Sequence, residues 1–247
     1  MANRGGTLRS TVTEEPLASF EHHPALRARQ AAAADLANVL RRLIRLSVST
    51  APTAAETDVI TAQLSAAADQ LEAHVPEVAF PRFIPPDEDG STREPPLGGS
   101  MPFDLVIGPF NPLALPVRLD FDPPKALGYA TFDVAYEGAP GCVHGAALAA
   151  TFDIILTAAN ALVGSTGPTV RLAVRYRRPT LLNEEATFEG WVTEVTERRI
   201  FSLGRIVQGG VVTVEAEGEF AILNQDGIHR MASGRRSAHD AAEDAGT

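Results

Sequence analysis

The residues best suited to chemistry lie at the start of one apolar segment and within it. His144 stands between Gly141 and Gly145, and Asp153 is the only charged residue in the run 146–163. Glycine lets backbone approach a ligand closely, and the free N–H groups at a helix start favour an oxyanion. A carboxylate among apolar neighbours must find partners or shift its pKa. These residues therefore form a candidate site, although a capping role for His144 and a structural Asp153 satisfied by hydroxyls such as Thr157 remain open.

The spacing of the two polar groups limits how they could act together. His144 and Asp153 lie nine residues apart, which in a helix is about two and a half turns and roughly 13 Å along the axis, on opposite faces. One chain cannot readily bring both groups to one site. Two copies of the helix packed antiparallel across a two-fold axis would bring Gly145 of one copy toward Asp153 of the other. A homodimer follows if both groups are catalytic.

The elements that must position these groups follow from periodicity. Alternation with period two predicts half-buried antiparallel strands, and the only helix among them is the apolar segment after the second strand. This order, strands with a single helix, predicts an α+β sheet and excludes a doubly wound array. The predicted strands are 117–121, 126–136, 170–177, 187–194, 199–207 and 212–222.

The pattern in the first third of the chain predicts a separate helical unit. An apolar stripe at helical spacing from Leu36 to Ile44 and a second from Val59 to Leu71 predict a helical hairpin, and Thr53 with Glu56 matches a capping box. The first stripe needs a partner surface, so we expect it to dock on the main domain or on a neighbouring subunit. Twelve of the 18 prolines lie between Pro76 and Pro124. The predicted units are a disordered tail 1–20, a helical hairpin 21–75, a proline-rich linker 76–102, the main domain 103–225 and a disordered tail 226–247.

Composition narrows the function classes. The chain has 31 acidic and 21 basic residues, a formal charge of −10. This negative charge is unfavourable for binding the phosphate backbone of nucleic acid. Its one cysteine excludes an intrachain disulfide, and no two-histidine metal spacing occurs. The N-terminus has no apolar signal segment, and Asp153 makes the run 146–163 a poor membrane span. We therefore expect a cytoplasmic protein with no metal, membrane or nucleic-acid partner.

Three stretches resemble a known family. The run EGAPGCVHGAALAATFD at 137–153, the stretch PTVRLAVRYRRPTLLNEEATFEGWVTEVTERRIFSLGRI at 168–206 and the closing VEAEGEFAIL at 214–223 are similar to the hotdog-fold acyl-CoA thioesterases of the PaaI-like group. The resemblance implies a hotdog fold, in which a curved antiparallel sheet wraps a long central helix, here preceded by an N-terminal helical hairpin. It also implies an acyl-CoA substrate, no cofactor, and a homodimer or a homotetramer built from two dimers, with the site at the subunit interface.

The resemblance also implies roles for individual residues. The motif His144-Gly145 would supply a backbone N–H at Gly145 that polarises the thioester carbonyl, and Asp153 of the partner chain would act as general base or nucleophile. Thr169 matches the hydroxyl position that orients the carboxylate or the water. The expected substrate contacts are Ala146 and Phe152 along the acyl or pantetheine path, and Arg175, Arg177 and Arg178 at the CoA phosphates, where a solvated strand face is an equal alternative.

Three departures keep alternatives open. Ala146 replaces the second glycine of the family's His-Gly-Gly, Ile154 replaces an acidic residue, and Gly138 stands where some relatives carry asparagine. The leading hypothesis is an acyl-CoA thioesterase. A non-catalytic hotdog dimer that binds an acyl-CoA or related ligand is the alternative, and an interaction protein that uses the helical hairpin is a third hypothesis.

Overall fold

The computed structural model describes residues 20, 22–81, 97–164 and 167–222. The predicted disordered tails lie outside the described residues, with the exception of Phe20. Two short 3₁₀ turns, Gly98–Ser100 and Val134–Tyr136, accompany the main elements. In chain order these elements are α1 Gln30–Ser49, α2 Ala54–Glu72, β1 Val117–Asp122, β2 Lys125–Thr131, α3 Gly145–Ala161, β3 Thr169–Tyr176, β4 Glu185–Val195, β5 Arg199–Gln208 and β6 Val211–Ala221.

The strands form one antiparallel sheet around α3. Their order is β1-β2-β4-β5-β6-β3, so β3 lies at an edge beside β6. Helix α3 packs on β2 through β6, because apolar residues cover most of its circumference. Phe152 of α3, for example, meets Phe188 of β4 edge to face at 5.6 Å between ring centroids. The predicted α+β hotdog fold, with an N-terminal helix pair, is confirmed.

One strand is shorter than its pattern predicts. β2 ends at Thr131 instead of Tyr136, and Val134–Tyr136 forms a 3₁₀ turn. The Asp133 carboxylate accepts a hydrogen bond from the Ala135 N–H at 2.9 Å. A short side chain that satisfies its own backbone in this way competes with strand pairing. The turn redirects the chain toward the start of α3.

Helix α1 is fixed on the segment that precedes β1. A second apolar cluster joins Phe20 and Leu26 to α1 and to Phe110, and Arg41 of α1 donates to the main-chain carbonyls of residues 108, 109 and 111. Residues 103–116, which the sequence assigned to the main domain, therefore pack their aromatic side chains with α1. Phe20, which the sequence placed in the disordered tail, is instead buried at 1% exposure.

Helix α2 has no comparable support. Its predicted capping box is present, with the Thr53 hydroxyl accepting from the Glu56 N–H and the Glu56 carboxylate accepting from the Thr53 N–H. All 19 of its residues are nevertheless exposed. The helix is thus stabilised locally at its first turn and by no tertiary packing among the described residues.

In the described part of the chain, the helices are too short or too polar to cross a membrane.

Candidate functional site

Helix α3 begins in a turn held by side chains. Gly141 has φ +74°, a conformation that favours glycine, and its N–H donates to the Glu137 carboxylate at 2.6 Å. The His144 N–H donates to the Tyr136 carbonyl at 2.8 Å. His144 then caps the helix, since its Nδ1 accepts from the Ala146 N–H at 3.0 Å. Because Nδ1 accepts, a neutral His144 carries its proton on Nε2.

Tyr176 at the end of β3 holds the same turn from the other side. Its hydroxyl donates to the Gly145 carbonyl at 2.8 Å. Its ring lies so close to Gly145 that a Cβ there would be 3.0 Å from two ring-end atoms. Burial raises the pKa of Tyr176, so its hydroxyl stays protonated and remains a donor at neutral pH. A side chain of the protein therefore favours glycine at 145, since a Cβ there would need the Tyr176 ring to shift by a few tenths of an ångström.

The hydrogen bonds made by Tyr176 and His144 do not use the backbone N–H of Gly145. The peptide between Gly145 and Ala146 is fixed at its carbonyl by Tyr176 and at its N–H by His144. The His144 carbonyl accepts from the Ala147 N–H at 3.0 Å. The Gly145 N–H has no hydrogen-bond partner in the part of the chain that the structure describes. A fixed donor of this kind at a helix start suits a developing oxyanion.

Asp153 lies half-buried in the middle of α3 with one hydroxyl on its carboxylate. Thr169, the first residue of β3, donates from Oγ1 to Asp153 Oδ1 at 2.6 Å. The Thr157 hydroxyl, the alternative partner, donates instead to the Asp153 main-chain carbonyl at 2.7 Å. Thr169 therefore fixes the carboxylate, while Thr157 contacts only the backbone.

A cleft of about 610 Å³ opens at the start of α3. It brings together four of the predicted site residues and Tyr176. Asp153 and Thr169 do not line it, and eight residues of regular helix place Asp153 roughly 12 Å from Gly145 along the axis. One chain therefore supplies the N–H donor to this cleft without the carboxylate. The predicted residues in its lining are His144, Gly145, Arg177 and Arg178.

The three arginines differ in their partners. Arg177 forms an ion pair with Glu215 of β6. Arg178 lines the cleft and is exposed, and its guanidinium has no ion-pair partner among the described residues. Arg175 lies on β3 opposite Glu215 and does not line the cleft. Arg178 is thus the cation best placed to meet an anionic ligand there.

The two predicted apolar contacts have different surroundings. Ala146 is exposed at the helix start. Phe152 is completely buried, because it faces the sheet and packs on Phe188. Phe152 is therefore a core residue with no surface for a ligand, which corrects its assignment as a substrate contact.

Two of the departures from the family motif have structural reasons. A Cβ at Gly138 would lie 2.9 Å from the His144 Cα, so this position has no room for an asparagine side chain. Ile154 is buried in α3, where an unpaired carboxylate would be costly. The chain therefore offers neither of the additional polar groups in these two positions.

Sequence reasoning missed Tyr176 as part of the site. The alternating pattern assigned Tyr176 only to a strand, and the glycine at 145 was explained by the close approach of a ligand to the backbone. The signal that could have identified Tyr176 is its position, because it is the last residue of the strand that begins with Thr169. No group of three or more His, Cys, Asp or Glu side chains among the described residues could hold a metal ion.

Comparisons with known proteins agree on one family. A family model described as the thioesterase superfamily matches residues 140–215. A crystal structure of a thioesterase superfamily protein is similar at 33% identity and a TM-score of 0.66, covering 76% of this chain and 94% of that chain. Six strands and α3 alone cannot account for that coverage, so the similarity extends into the N-terminal part.

Two further solved structures are more distant. A mutant of the phenylacetic acid degradation protein PaaI from Thermus thermophilus has 17% identity, a TM-score of 0.42 and coverage of 44% of this chain and 95% of that chain. A hypothetical thioesterase from Streptococcus pneumoniae, solved with coenzyme A, has 15% identity, a TM-score of 0.42 and coverage of 44% of this chain and 90% of that chain. A search of curated proteins gives no match.

Proposed function

The chain belongs to the thioesterase superfamily, and from this premise we propose that it hydrolyses an acyl-CoA thioester to the free acid and CoA. The observation that carries the proposal is the Gly145 N–H, an unpaired donor among the described residues in a helix start whose neighbouring peptide is fixed on both sides. Preorganised donors of this kind stabilise charge that develops in a transition state.

The chemistry follows from the two groups. The Gly145 N–H donates to the thioester carbonyl oxygen as it gains negative charge. Asp153 takes a proton from water, whose oxygen bonds to the carbonyl carbon, and the C–S bond then breaks to release CoA as its thiolate. The proton ends on the CoA thiol or in solvent. Thr169, which donates to Asp153 Oδ1, orients the carboxylate so that its second oxygen faces the water.

The distance of roughly 12 Å between Gly145 and Asp153 along α3 is the reason that we propose a site built from two chains. In our proposal, Asp153 of a second copy completes the cleft at Gly145, and the two-fold axis gives two equivalent sites. The edge strand β3 carries both Thr169 and Tyr176, so pairing along this edge would hold the two halves of each site in register. The assembly is a homodimer that can pair further into a homotetramer.

Arg178 is the proposed contact for the CoA phosphates. It lines the cleft without an ion-pair partner among the described residues, whereas Arg177 is engaged by Glu215. A planar guanidinium suits bidentate binding of a phosphate group.

A panel of acyl-CoA esters read with a thiol reagent tests the proposal. The wild-type protein should release CoA from at least one ester, and Asp153→Ala should not exceed the blank. Calorimetric binding of the same esters to both proteins separates loss of chemistry from loss of binding. Binding without turnover by the wild-type protein would contradict the hydrolase.

Binding of acyl-CoA esters without turnover would favour the alternative, a non-catalytic hotdog dimer that binds an acyl-CoA or related ligand. The specific observation in its favour is the closed space at Gly138, where a Cβ would meet the His144 backbone. An amide that could hold water beside the thioester has no room at this position.

Thr169→Val should lower kcat about tenfold with little change in KM. The substitution removes the hydroxyl that fixes the Asp153 carboxylate, and a hydrogen bond to a charged group contributes about 1.5–3 kcal/mol. Thr157→Val is the matched control, since it removes a hydroxyl bonded only to the Asp153 main-chain carbonyl. Steady-state kinetics of both variants check this, and equal losses would show that the hydrogen bond from Thr169 to the Asp153 carboxylate has no specific effect on catalysis.

Tyr176→Phe should lower kcat roughly fivefold while KM stays near the wild-type value. The ring remains against Gly145, but the hydroxyl that fixes the adjacent peptide is lost, a change on the order of 1 kcal/mol. Tyr129→Phe, on β2, removes a hydroxyl outside the cleft and should leave both constants unchanged. A rise in KM without a fall in kcat would instead make Tyr176 a binding residue.

Arg178→Ala should raise KM for acyl-CoA by about tenfold and leave kcat nearly unchanged. The reason is the loss of a cleft cation that has no ion-pair partner among the described residues; the tenfold change is on the order of 1.4 kcal/mol. The same variant should process a truncated N-acetylcysteamine thioester like the wild-type protein, because this substrate lacks the phosphates. Arg118→Ala on β1 serves as the control. An equal effect of Arg178→Ala on both substrates would contradict phosphate recognition.

A further inference from the structure

Helix α2 presents an apolar stripe that no described residue covers. Ile60, Leu64, Ala67 and Leu71 recur at intervals of four, three and four residues, which places them on one face of the helix. Three of these side chains are 44%, 44% and 50% exposed, in the order Ile60, Leu64 and Leu71. A 19-residue helix with its whole apolar stripe in water is poorly stabilised without a partner.

Helix α1 carries a matching stripe on its outer side. Its inner side docks through Ala33, Ala34 and Ala37. Leu36, Val39, Leu43 and Leu46 recur at intervals of three, four and three residues, and the first two are exposed. The stripes span eleven and twelve residues of their helices, so they suit antiparallel packing along their whole lengths.

The connection between the helices keeps α2 away from its own α1. Thr50 and Thr53 both have extended backbone, at φ −124° ψ 160° and φ −62° ψ 161°. Pro52 between them has a fixed φ and disfavours helical backbone at Ala51. The Thr50 hydroxyl bonds back to the Leu46 carbonyl, and the capping box locks Thr53. Closing the helix pair within one chain would have to break this extended arrangement.

Charge favours the same pairing between copies. α2 contains four carboxylates and no basic residue, whereas α1 contains three arginines and one carboxylate. Arg42, next to the outer stripe of α1, is exposed and forms no ion pair with another described residue. A copy of α2 on this stripe would bring acidic residues to a basic helix.

We propose that two copies of this chain exchange helices, with α2 of each copy lying antiparallel on the outer stripe of α1 of the other. The surface that α2 leaves uncovered in its own chain is present in the second copy, and the exchange closes under two-fold symmetry. A short proline-containing connection is the arrangement that favours exchange over closure.

Disulfide trapping between differently tagged chains tests the exchange. Both chains carry Cys142→Ser, one with Val39→Cys and the other with Ala67→Cys, which antiparallel alignment of the stripes brings together. Ser65→Cys replaces Ala67→Cys as the matched control, because Ser65 lies at nearly the same height on α2 but on the side away from the stripe. Oxidation of co-expressed full-length chains should give a disulfide between the two tags for Ala67→Cys and at least about tenfold less for Ser65→Cys.

A chain carrying both Val39→Cys and Ala67→Cys tests closure within one copy. Exchange predicts that its disulfide also joins two chains on a non-reducing gel. A disulfide confined to single chains, equal trapping by Ser65→Cys, or no trapping at all would overturn the proposal. The engineered cysteines lie outside the cleft at the start of α3, so the trapping reports on the helices alone and does not depend on catalytic activity.

Discussion

Asp153→Asn should lower kcat by at least about 100-fold and leave the protein folded. A general base typically contributes roughly 10²–10⁴-fold to the rate, and an amide cannot take a proton from water at neutral pH. The variant keeps an oxygen at Oδ1 that can still accept from Thr169, which bonds there at 2.6 Å in the wild-type protein. Steady-state kinetics on the ester with the fastest turnover measure the effect.

Stability distinguishes the catalytic role from a structural one. If Asp153 is catalytic, its replacement removes a half-buried charge without losing the Thr169 contact, and the free energy of unfolding should stay equal or rise. If Asp153 is structural, weakening its charge-assisted hydrogen bond with Thr169 to a neutral one should lower the free energy of unfolding by about 1–3 kcal/mol, and turnover should fall only through unfolding. Asp120→Asn, an exposed carboxylate on β1, is the control. A folded Asp153→Asn protein with undiminished kcat would remove Asp153 from the mechanism.

The fold could be predicted where periodicity and packing agree. Alternation marked every strand, and the apolar run with one aspartate marked α3. The end of β2 could not be predicted, because the pattern continues to Tyr136 while the Asp133 side chain captures the Ala135 N–H and turns the chain. The burial of Phe20 could not be predicted either, because it depends on contact with Phe110, ninety residues later in the chain.

The site was predicted through the resemblance more than through periodicity. His144 as a helix cap and Thr169 on the Asp153 carboxylate are both local consequences of where α3 and β3 begin. Phe152 was misplaced because a helix sequence alone does not say which apolar residues face the sheet. Tyr176 was missed because its contact with Gly145 joins residues 31 positions apart.

Gly145→Pro should abolish turnover, lowering kcat by about 100-fold or more, whereas Gly145→Ala should keep most of it. Position 145 is the first residue of α3, where proline is tolerated because its N–H is not used within the helix. His144 precedes it at φ −62° and ψ 131°, an extended conformation that suits a residue before proline. Both substitutions bring a Cβ to about 3.0 Å from the Tyr176 ring, so the comparison isolates the N–H donor. Equal losses in the two variants would assign the effect to Tyr176 displacement and contradict the oxyanion role.

Mixing Gly145→Pro chains with Asp153→Asn chains should then restore activity. In a heterodimer of the two, one site has both substitutions and the other has an intact Gly145 N–H facing an intact Asp153 carboxylate. Random pairing makes such heterodimers about half of the population, so about a quarter of the wild-type rate per site should return, far above either variant alone. This requires both groups to meet across the two-fold axis, because a site built within one chain would stay broken in every combination. Folded heterodimers, verified by differently tagged chains, that recover no activity would contradict the arrangement across subunits.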